Sequence, residues 1–340
     1  MSASFPADPL LVHGATGRLR PAEWVFPGHP DRLADAIADG LVREARTRDD
    51  HALCGVEVAL HRDVVFVDGR IAGRDVDSID VEAVVRDVYR RVGYGGPFPP
   101  DAERLRVLTD LDIGPLLDGE AAIRPISDDQ AIVNGYWNSR EGCGGEPPEQ
   151  VVVYELGAAL AALRTQDPDL KLGPDGKVLV VVAEHDDGRL ALRQVSTSLQ
   201  HEAGHDAVAV ERAVREVVAS VAASLAQKIS GFSPQAPSAI LVNGAGDFVC
   251  GGSHGDNGLS GKQLVVDFHG PRVPIGGGAM YGKDSWKPDR YGPALARDWA
   301  RRVCEGEGLR ECTVTMIVRP GDRELQLVGV ERGHRIAQDS

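Results

Sequence analysis

The sequence predicts an α+β protein assembled from three stretches of similar make-up. Mixtures of hairpin-like strand pairs and amphipathic helices occur three times along the chain, without obvious sequence repetition. The strict strand–helix alternation that a doubly wound parallel sheet demands is missing. A chain of 340 residues can bury a large core, and its length suggests two or three domains.

In chain order, residues 1–20 mix Pro, Ala, Gly and charges without periodicity and read as a loose lead-in. Pro30 suits the first position of a helix, and Leu33, Ala34, Ile37, Leu41, Val42 and Ala45 then recur at helical spacing. Val56 to Val58 and Val64 to Val67, with Asp68-Gly69 after them, read as a hairpin pair. Val84, Val85, Val88 and Val92 mark a second helix. A helix near 154–165, strands at 178–183 and 189–195, and a long helix over 207–229 form the middle third. The last third holds a strand at 262–268, a helix near 289–304, and strands at 311–319 and 323–330. Residues 97–150 are the least regular, with Pro97, Pro99, Pro100, Gly114, Pro125 and the run Gly142 to Pro148. So long a stretch with poor periodicity reads as a functional lid rather than a plain linker.

Composition narrows the function classes. The chain is 42% hydrophobic and 26% charged, as soluble globular proteins are. A formal net charge of −14 argues against a nucleic-acid-binding surface, while leaving room for a local cationic pocket. No apolar run reaches the length of a membrane span, and no secretion signal is visible at the N-terminus. Cys54, Cys143, Cys250, Cys304 and Cys312 have no metal-ligand spacing and read as free thiols in a reducing cytoplasm.

Chemistry concentrates in two glycine-rich stretches and one short motif. Gly251 to Lys262 and Gly276 to Arg290 combine glycines, which let backbone N–H groups approach an anion, with flanking lysines. Gly28-His29-Pro30-Asp31 lies near the start. Asp31, Asp256 and Asp289 add the hard oxygen donors that Mg²⁺ prefers beside phosphates. Such loops suit a polyphosphate site. His29 stands at a predicted helix start, where orphan N–H groups favour anions, although such a residue is also an ordinary cap.

These motifs resemble the S-adenosylmethionine synthetase (methionine adenosyltransferase) family. Its Ser-Glu-Gly-His-Pro-Asp-Lys motif matches Phe26 to Arg32, its Gly-Asp-Xaa-Gly-Leu-Thr-Gly-Arg-Lys matches Gly255 to Gln263, and its Gly-Gly-Gly-Ala-Phe-Ser-Gly-Lys-Asp matches Gly276 to Asp284. Weaker matches lie between them, at Asp129-Gln130, at Pro174 to Lys177 and at Ser196-Thr197. The resemblance runs in order from about residue 21 to about residue 330. It implies three α/β subdomains related by pseudo-threefold symmetry, here 21–115, 116–250 and a shortened 251–340. It also implies attack of a methionine sulfur on C5′ of ATP, giving S-adenosylmethionine with release of tripolyphosphate, or of phosphate plus pyrophosphate. That displacement needs alignment and stabilisation of the leaving oxygen rather than a strong base.

Residue by residue, the resemblance implies catalytic roles for His29, Lys177 and Lys283. ATP and its phosphates would meet His29, Asp175, Gly176, Lys177, Phe248, Asp256, Lys262, Ala279 and Lys283. The amino-acid substrate would meet Asp256 and Lys287, with Arg70 and Thr109 at two further pocket positions. Asp31 and Asp289 would hold Mg²⁺ and Glu57 would hold K⁺. A homodimer or higher homo-oligomer with active sites at the interface is expected, with ATP and a small sulfur-containing amino acid as partners and no nucleic acid or membrane.

Several positions depart from the family. Arg70 replaces a glutamate that contacts the methionine ammonium, reversing the charge, and Thr109 replaces a glutamine. Asp247 replaces an Arg, Lys262-Gln263 an Arg-Lys pair, Arg32 a Lys, and Met280-Tyr281 a Phe-Ser pair. The chain stops soon after the strand at 323–330, where the family continues into a terminal helix. Three readings therefore stay open: a methionine adenosyltransferase, a paralogue that adenosylates another nucleophile, and a weakly active subunit that partners a full-length synthetase.

Overall fold

The computed structural model describes residues 17–124, 126–237 and 239–335. In chain order it runs β1 (Arg18–Val25), α1 (Pro30–Arg48), β2 (Leu53–His61), β3 (Val64–Ala72), α2 (Val81–Val92), β4 (Arg106–Gly114), α3 (Asp118–Ile123) and β5 (Ala131–Asn138). There follow α4 (Pro148–Gln166), β6 (Leu172–Glu184), β7 (Leu190–His201), α5 (Ala207–Lys228), β8 (Ala239–Val242), α6 (Gly252–Gly255) and β9 (Gly258–Leu259). The last elements are α7 (Leu264–Asp267), α8 (Pro288–Glu307), β10 (Glu311–Val318) and β11 (Gln326–Arg332).

Three sheets result, in the orders β1-β6-β7-β8, β4-β3-β2-β9 and β11-β10-β5. Each buries one face against helices, as an α+β layer must. The β2–β3–β4 face packs on α1 and α2, with Leu33, Ile37, Leu41, Val65, Val67 and Ile71 fully buried. The β6–β7 face packs on α4 and α5 through Leu156, Leu160, Val180 and Val214. The smallest core lies between β5, β10 and α8, around Val133, Ala296, Ala300 and Val314. Full burial of each large aliphatic side chain contributes about 1.5–3 kcal/mol.

Local chemistry explains α1. Its N-cap is His29, whose ring Nδ1 accepts from Asp31 N at 3.2 Å. Pro30 occupies the first turn, Asp31 faces the positive end of the helix dipole, and Arg46 and Arg48 face the negative end.

The expected helices all form, with ends a few residues from those read in the sequence. Other expectations need correction. The stretch 262–268 is no strand: Leu264–Asp267 makes one helical turn, with Val266 buried and its carbonyl accepting from Gln150 Nε2 at 3.3 Å. Three apolar residues in a row satisfy either geometry, and here they pack against β1 and Gln150 of α4 instead of pairing with an edge. The irregular region holds β4, α3 and β5, because their partners β3 and β10 supply order that local sequence does not signal. Arg18 to Arg20, expected in the lead-in, belong to β1; residues 1–16 lie outside the described residues.

The sheets interleave the chain. β1 pairs with β6, β9 with β2, and β5 with β10, so each sheet draws a strand across the boundaries proposed at 115 and 250. No helix among the described residues is long and apolar enough to cross a membrane.

Candidate functional site

A crossing of two segments builds the central cleft. β1 runs antiparallel to β6 with Val25 opposite Lys177, and beyond it Phe26 N donates to Gly176 O (2.9 Å) and Gly28 N to Pro174 O (3.2 Å). A methyl group at Gly28 would lie 2.3 Å from Pro174 O, so glycine is required for this approach. His29 is thereby set beside Asp175 and Lys177. With Phe248, Asp256, Ser198 and Asn243 they line a cleft of about 310 Å³.

The cleft dictates the state of His29. The residue is 4% exposed, and burial, helped by the Lys177 charge, lowers its pKa from 6.5 to about 4. It is therefore neutral near pH 7. Its Nδ1 accepts from Asp31 N, which leaves the proton on Nε2. The site thus holds a neutral imidazole donor beside an ammonium group. Asp175 is buried too, accepts from Gly252 N at 2.7 Å, and is raised to about 6 by burial.

Asp31 links this cleft to the end of the first glycine stretch. Its Oδ1 accepts from Leu259 N at 3.1 Å and lies 3.5 Å from Lys262 Nζ, while Oδ2 accepts from Gln263 Nε2 at 2.6 Å. Ala279 is brought to the same place: a methyl group on Gly261 would come within 2.3 Å of its Cβ. Lys283 bridges to Gly55 on β2 and its Nζ lies 2.5 Å from Asp289 Oδ2. Lys287 pairs with Asp128. Between the two lysines, buried Asp284 accepts from Cys54 N (2.7 Å) and Trp286 N (2.8 Å) and pairs with Arg124. This carboxylate fixes the loop that carries both cations.

Some positions that the motif resemblance marks as departures, Arg32, Arg70 and Tyr281, are tied into this framework. Arg32 Nη1 contacts Asp35 (3.2 Å), Asp267 and the Tyr281 hydroxyl (3.3 Å), so two altered positions meet directly. Burial raises Asp35 to about 7 although its Oδ1 accepts from Gly261 N at 2.8 Å. Arg70 forms a fork on Glu120 of α3 and lies 3.1 Å from Asp112. In register it stands opposite Gly55, which in turn bridges Lys283, so Arg70 shares a row with the lysine loop. Thr109 is exposed opposite Val67, on the alternate face of β4 from Asp112. Glu57 is exposed on the outward face of β2, in one cross-sheet row with Asp68 and Asp110.

The structure adds residues that sequence reading missed. His201, fully buried at the end of β7, grips Phe248 twice: its own N–H donates to Phe248 O (3.0 Å) and its Nε2 accepts from Phe248 N (2.9 Å). His205 stacks on it at 3.4 Å between ring centroids. Together with Asp247 the two histidines have donor atoms within 4.8 Å of one another, as metal ligands do. They do not fit a metal. His201 Nδ1 lies 3.0 Å from Glu202 O and must carry the proton there, while Nε2 is occupied by Phe248 N–H. His201 holds the Phe248 loop. Spacing in sequence gives no hint of this, since His201 and Phe248 meet only when β7 lies beside that loop.

Comparison with known proteins decides the family. The family model "S-adenosylmethionine synthetase, N-terminal domain" matches residues 18–112, and "S-adenosylmethionine synthetase, C-terminal domain" matches residues 250–331. The chain is 32% identical over 320 residues to S-adenosylmethionine synthase 1 of Rhodospirillum rubrum, covering 91% of this chain and 80% of that one. It is also 32% identical over 308 residues to the S-adenosylmethionine synthase of Thermus thermophilus, covering 84% and 74%. The chain belongs to the S-adenosylmethionine synthetase family. The family's N-terminal match contains His29, Asp31, Glu57 and Arg70, and its C-terminal match contains Asp256, Lys262, Lys283 and Asp289. Asp175, Lys177 and Phe248 lie between the two matched regions and meet His29 and Asp256 in the cleft, whereas Asp31, Glu57, Arg70, Lys262, Lys283 and Asp289 lie outside its lining.

Proposed function

We propose that the chain is an ATP-dependent adenosyltransferase in which the thioether sulfur of methionine attacks C5′ of ATP. The S–C5′ bond forms as the C5′–O bond breaks, and its electron pair leaves on the triphosphate. The products are S-adenosylmethionine and tripolyphosphate, or phosphate plus pyrophosphate after hydrolysis. One observation carries this reading: a neutral, buried His29 with its proton on Nε2, beside Lys177 in a nucleoside-sized cleft. Such a donor stabilises the leaving oxygen as its charge grows. Phe248 offers a face for adenine, and Asp256 suits the ribose and the ammonium group. The lysines Lys262 and Lys283 would take the phosphates, and Lys287 the amino-acid carboxylate.

The carboxylates fit Mg²⁺. Asp31 and Asp289 are each paired with a lysine, Lys262 and Lys283 respectively. A polyphosphate that drew off the ammonium groups would leave hard oxygen donors to a divalent ion. When bound, Mg²⁺ would neutralise phosphate charge. A monovalent cation fits beside Glu57, because like charges of Glu57, Asp68 and Asp110 stand directly opposite one another and need compensation.

The same outward face supports a homo-oligomer. Leu259, Ala59, Phe66 and Leu108 form a row across all four strands, and Leu259, Phe66 and Leu108 are 37–46% exposed. A second copy covering this row would place active sites near the interface. The free thiols of all five cysteines support a cytoplasmic setting.

A second reading, with a nucleophile other than methionine, draws on Arg70, which stands where the family has an acid. One experiment separates the two: incubation with ATP, Mg²⁺, K⁺ and a panel of thioethers and thiols, with adenosyl adducts read by mass spectrometry. S-adenosylmethionine as the dominant adduct is expected; no adduct with any nucleophile would refute adenosyl transfer.

A further inference from the structure

Behind the central cleft lies a second one, of about 250 Å³, between α1, α2 and α4. Its walls are Ala36, Val88, Val92 and Ala161, and its floor is Phe26-Pro27 with Gly173-Pro174. Arg164 projects into this largely apolar space. Its Nη1 donates to Val92 O, the last carbonyl of α2, at 2.5 Å, and among the described residues it has no ion-pair partner. Burial lowers its pKa, as expected of a guanidinium without a carboxylate beside it. The other cation of the lining, Arg91, is already paired with Asp87 at 2.7 Å.

A helix C-terminus carries only about half a unit of negative charge, so α2 leaves the Arg164 cation partly uncompensated. The packing accommodates it deliberately. Gly93, at φ 99°, ends α2, and a methyl group there would lie 1.8 Å from Arg164 Nη2. A half-buried cation at the end of a largely apolar cleft selects one kind of ligand. The anionic head meets the guanidinium, preferably through two hydrogen bonds, and an apolar tail fills the space. At about 250 Å³ the cleft falls just below the range of roughly 300–1,000 Å³ usual for drug-sized ligands, which points to something smaller than a nucleotide.

We propose that this cleft is a second small-molecule site, taking an amphipathic monocarboxylate on Arg164, and that its occupancy is felt in the central cleft. The link is the shared floor. Phe26-Pro27 leads directly into Gly28-His29, and Gly173-Pro174 into Asp175 and Lys177, with Gly28 N on Pro174 O joining the two segments. A ligand seated on one side of this pair presses on the groups that line the other. Coupling of this kind is reciprocal.

The test uses the full chain and hexanoate, with hexanol and inorganic phosphate as probes of tail and head alone. Calorimetric titration is expected to give saturable 1:1 binding of hexanoate and at least tenfold weaker binding of each partial probe. Arg164→Gln keeps a donor for Val92 O but removes the charge, and Ala161→Phe fills the cleft while keeping Arg164. Both should weaken hexanoate binding at least tenfold, with circular dichroism confirming that each variant is folded. Hexanoate at saturation should shift the ATP dissociation constant at least threefold, and this shift should be lost in Ala161→Phe. Wild-type hexanoate affinity in both variants, or no saturable binding to the wild type, overturns the site. An unchanged ATP affinity overturns the coupling. Failure to bind ATP at all counts against the adenosyltransferase reading and leaves the hexanoate arm standing.

Discussion

Arg70 and Glu120 meet as a two-bond fork, Nε to Oε1 at 2.9 Å and Nη2 to Oε2 at 3.0 Å. A third contact, Nη2 to Pro115 O at 2.9 Å, fastens the same guanidinium to the segment leading into α3. The Arg70 charge is thus answered by two carboxylates, Glu120 and Asp112. A substrate ammonium group near position 70 meets a neutralised pair and not a bare cation. This tempers the repulsion of about 4 kcal/mol that two like charges 4 Å apart exert at an effective dielectric of about 20.

The sign of residue 70 is testable without dismantling the fork. The swap Arg70→Glu with Glu120→Arg keeps the pair and reverses its orientation. If position 70 lines the amino-acid pocket, the swap should lower the methionine KM at least tenfold. An unchanged KM in the swap places Arg70 outside the pocket and leaves it as a fastener of α3.

His29→Ala should lower adenosyl transfer by about 10²–10³-fold, the usual cost of one preorganised donor to a developing oxyanion. ATP binding should change little. Retention of more than a tenth of the wild-type turnover would contradict the role. The pH dependence has a definite sign. The folded pKa of about 4 lies below the unfolded 6.5, so stability from this residue is held above pH 6.5 and lost as pH falls towards 4. The kcat profile should therefore show no limb near 6.5 that disappears on replacing His29.

If the ammonium group now paired with Asp289 takes the ATP phosphates, as proposed, Lys283→Ala should weaken ATP binding at least tenfold by calorimetry. Asp289→Asn should leave that affinity nearer to the wild type while raising the Mg²⁺ concentration needed for half-maximal turnover. An ATP affinity in Lys283→Ala equal to that of the wild type would remove this loop from the phosphate site.

Gln263, which the motif resemblance sets at the position of a family lysine, supplies a neutral amide that is committed to Asp31 Oδ2. Tripolyphosphate hydrolysis should therefore be slow, with intact tripolyphosphate accumulating in the first turnovers. Gln263→Lys should accelerate it, as the added cation offsets part of the phosphate charge. Stoichiometric phosphate and pyrophosphate from the wild type in a single turnover would show the expectation wrong.

Glu57→Gln should abolish any stimulation by K⁺, because it removes one of the three carboxylates in the row with Asp68 and Asp110. Activity in K⁺-free buffer should be nearly equal for variant and wild type. Undiminished stimulation in Glu57→Gln would move the cation elsewhere.

Helices were legible because their apolar positions repeat: Leu33, Ile37 and Leu41 in α1 lie on one face and are all buried. β1 was not legible. Pro21 and scattered charges hide it, and an edge position beside β6 is where a strand tolerates proline. The strand expected at 262–268 shows the opposite error, since Leu264-Val265-Val266 has no period long enough to choose a geometry. Of the motif residues, His29, Asp175, Lys177, Phe248 and Asp256 line one cleft, while Lys262, Lys283 and Lys287 lie outside its lining. Glu120, Asp128 and His201 were invisible because each acts on a residue far away in sequence, and only folding reveals the partner.

The interleaved sheets impose an order on how the protein comes into being. β1 leaves the ribosome early, yet its partner β6 ends only at Glu184. At a synthesis rate of about 5–20 residues per second the wait is roughly 8–30 s. β5 waits longer still for β10, and β2 is flanked by β9 only once residues 258–259 have emerged. During that interval the nascent chain carries strand edges with nothing to pair with, the kind of surface that chaperones hold. His29 and Lys177, brought together by the β1–β6 pairing, cannot meet until it closes. The central cleft is among the later things the growing chain acquires.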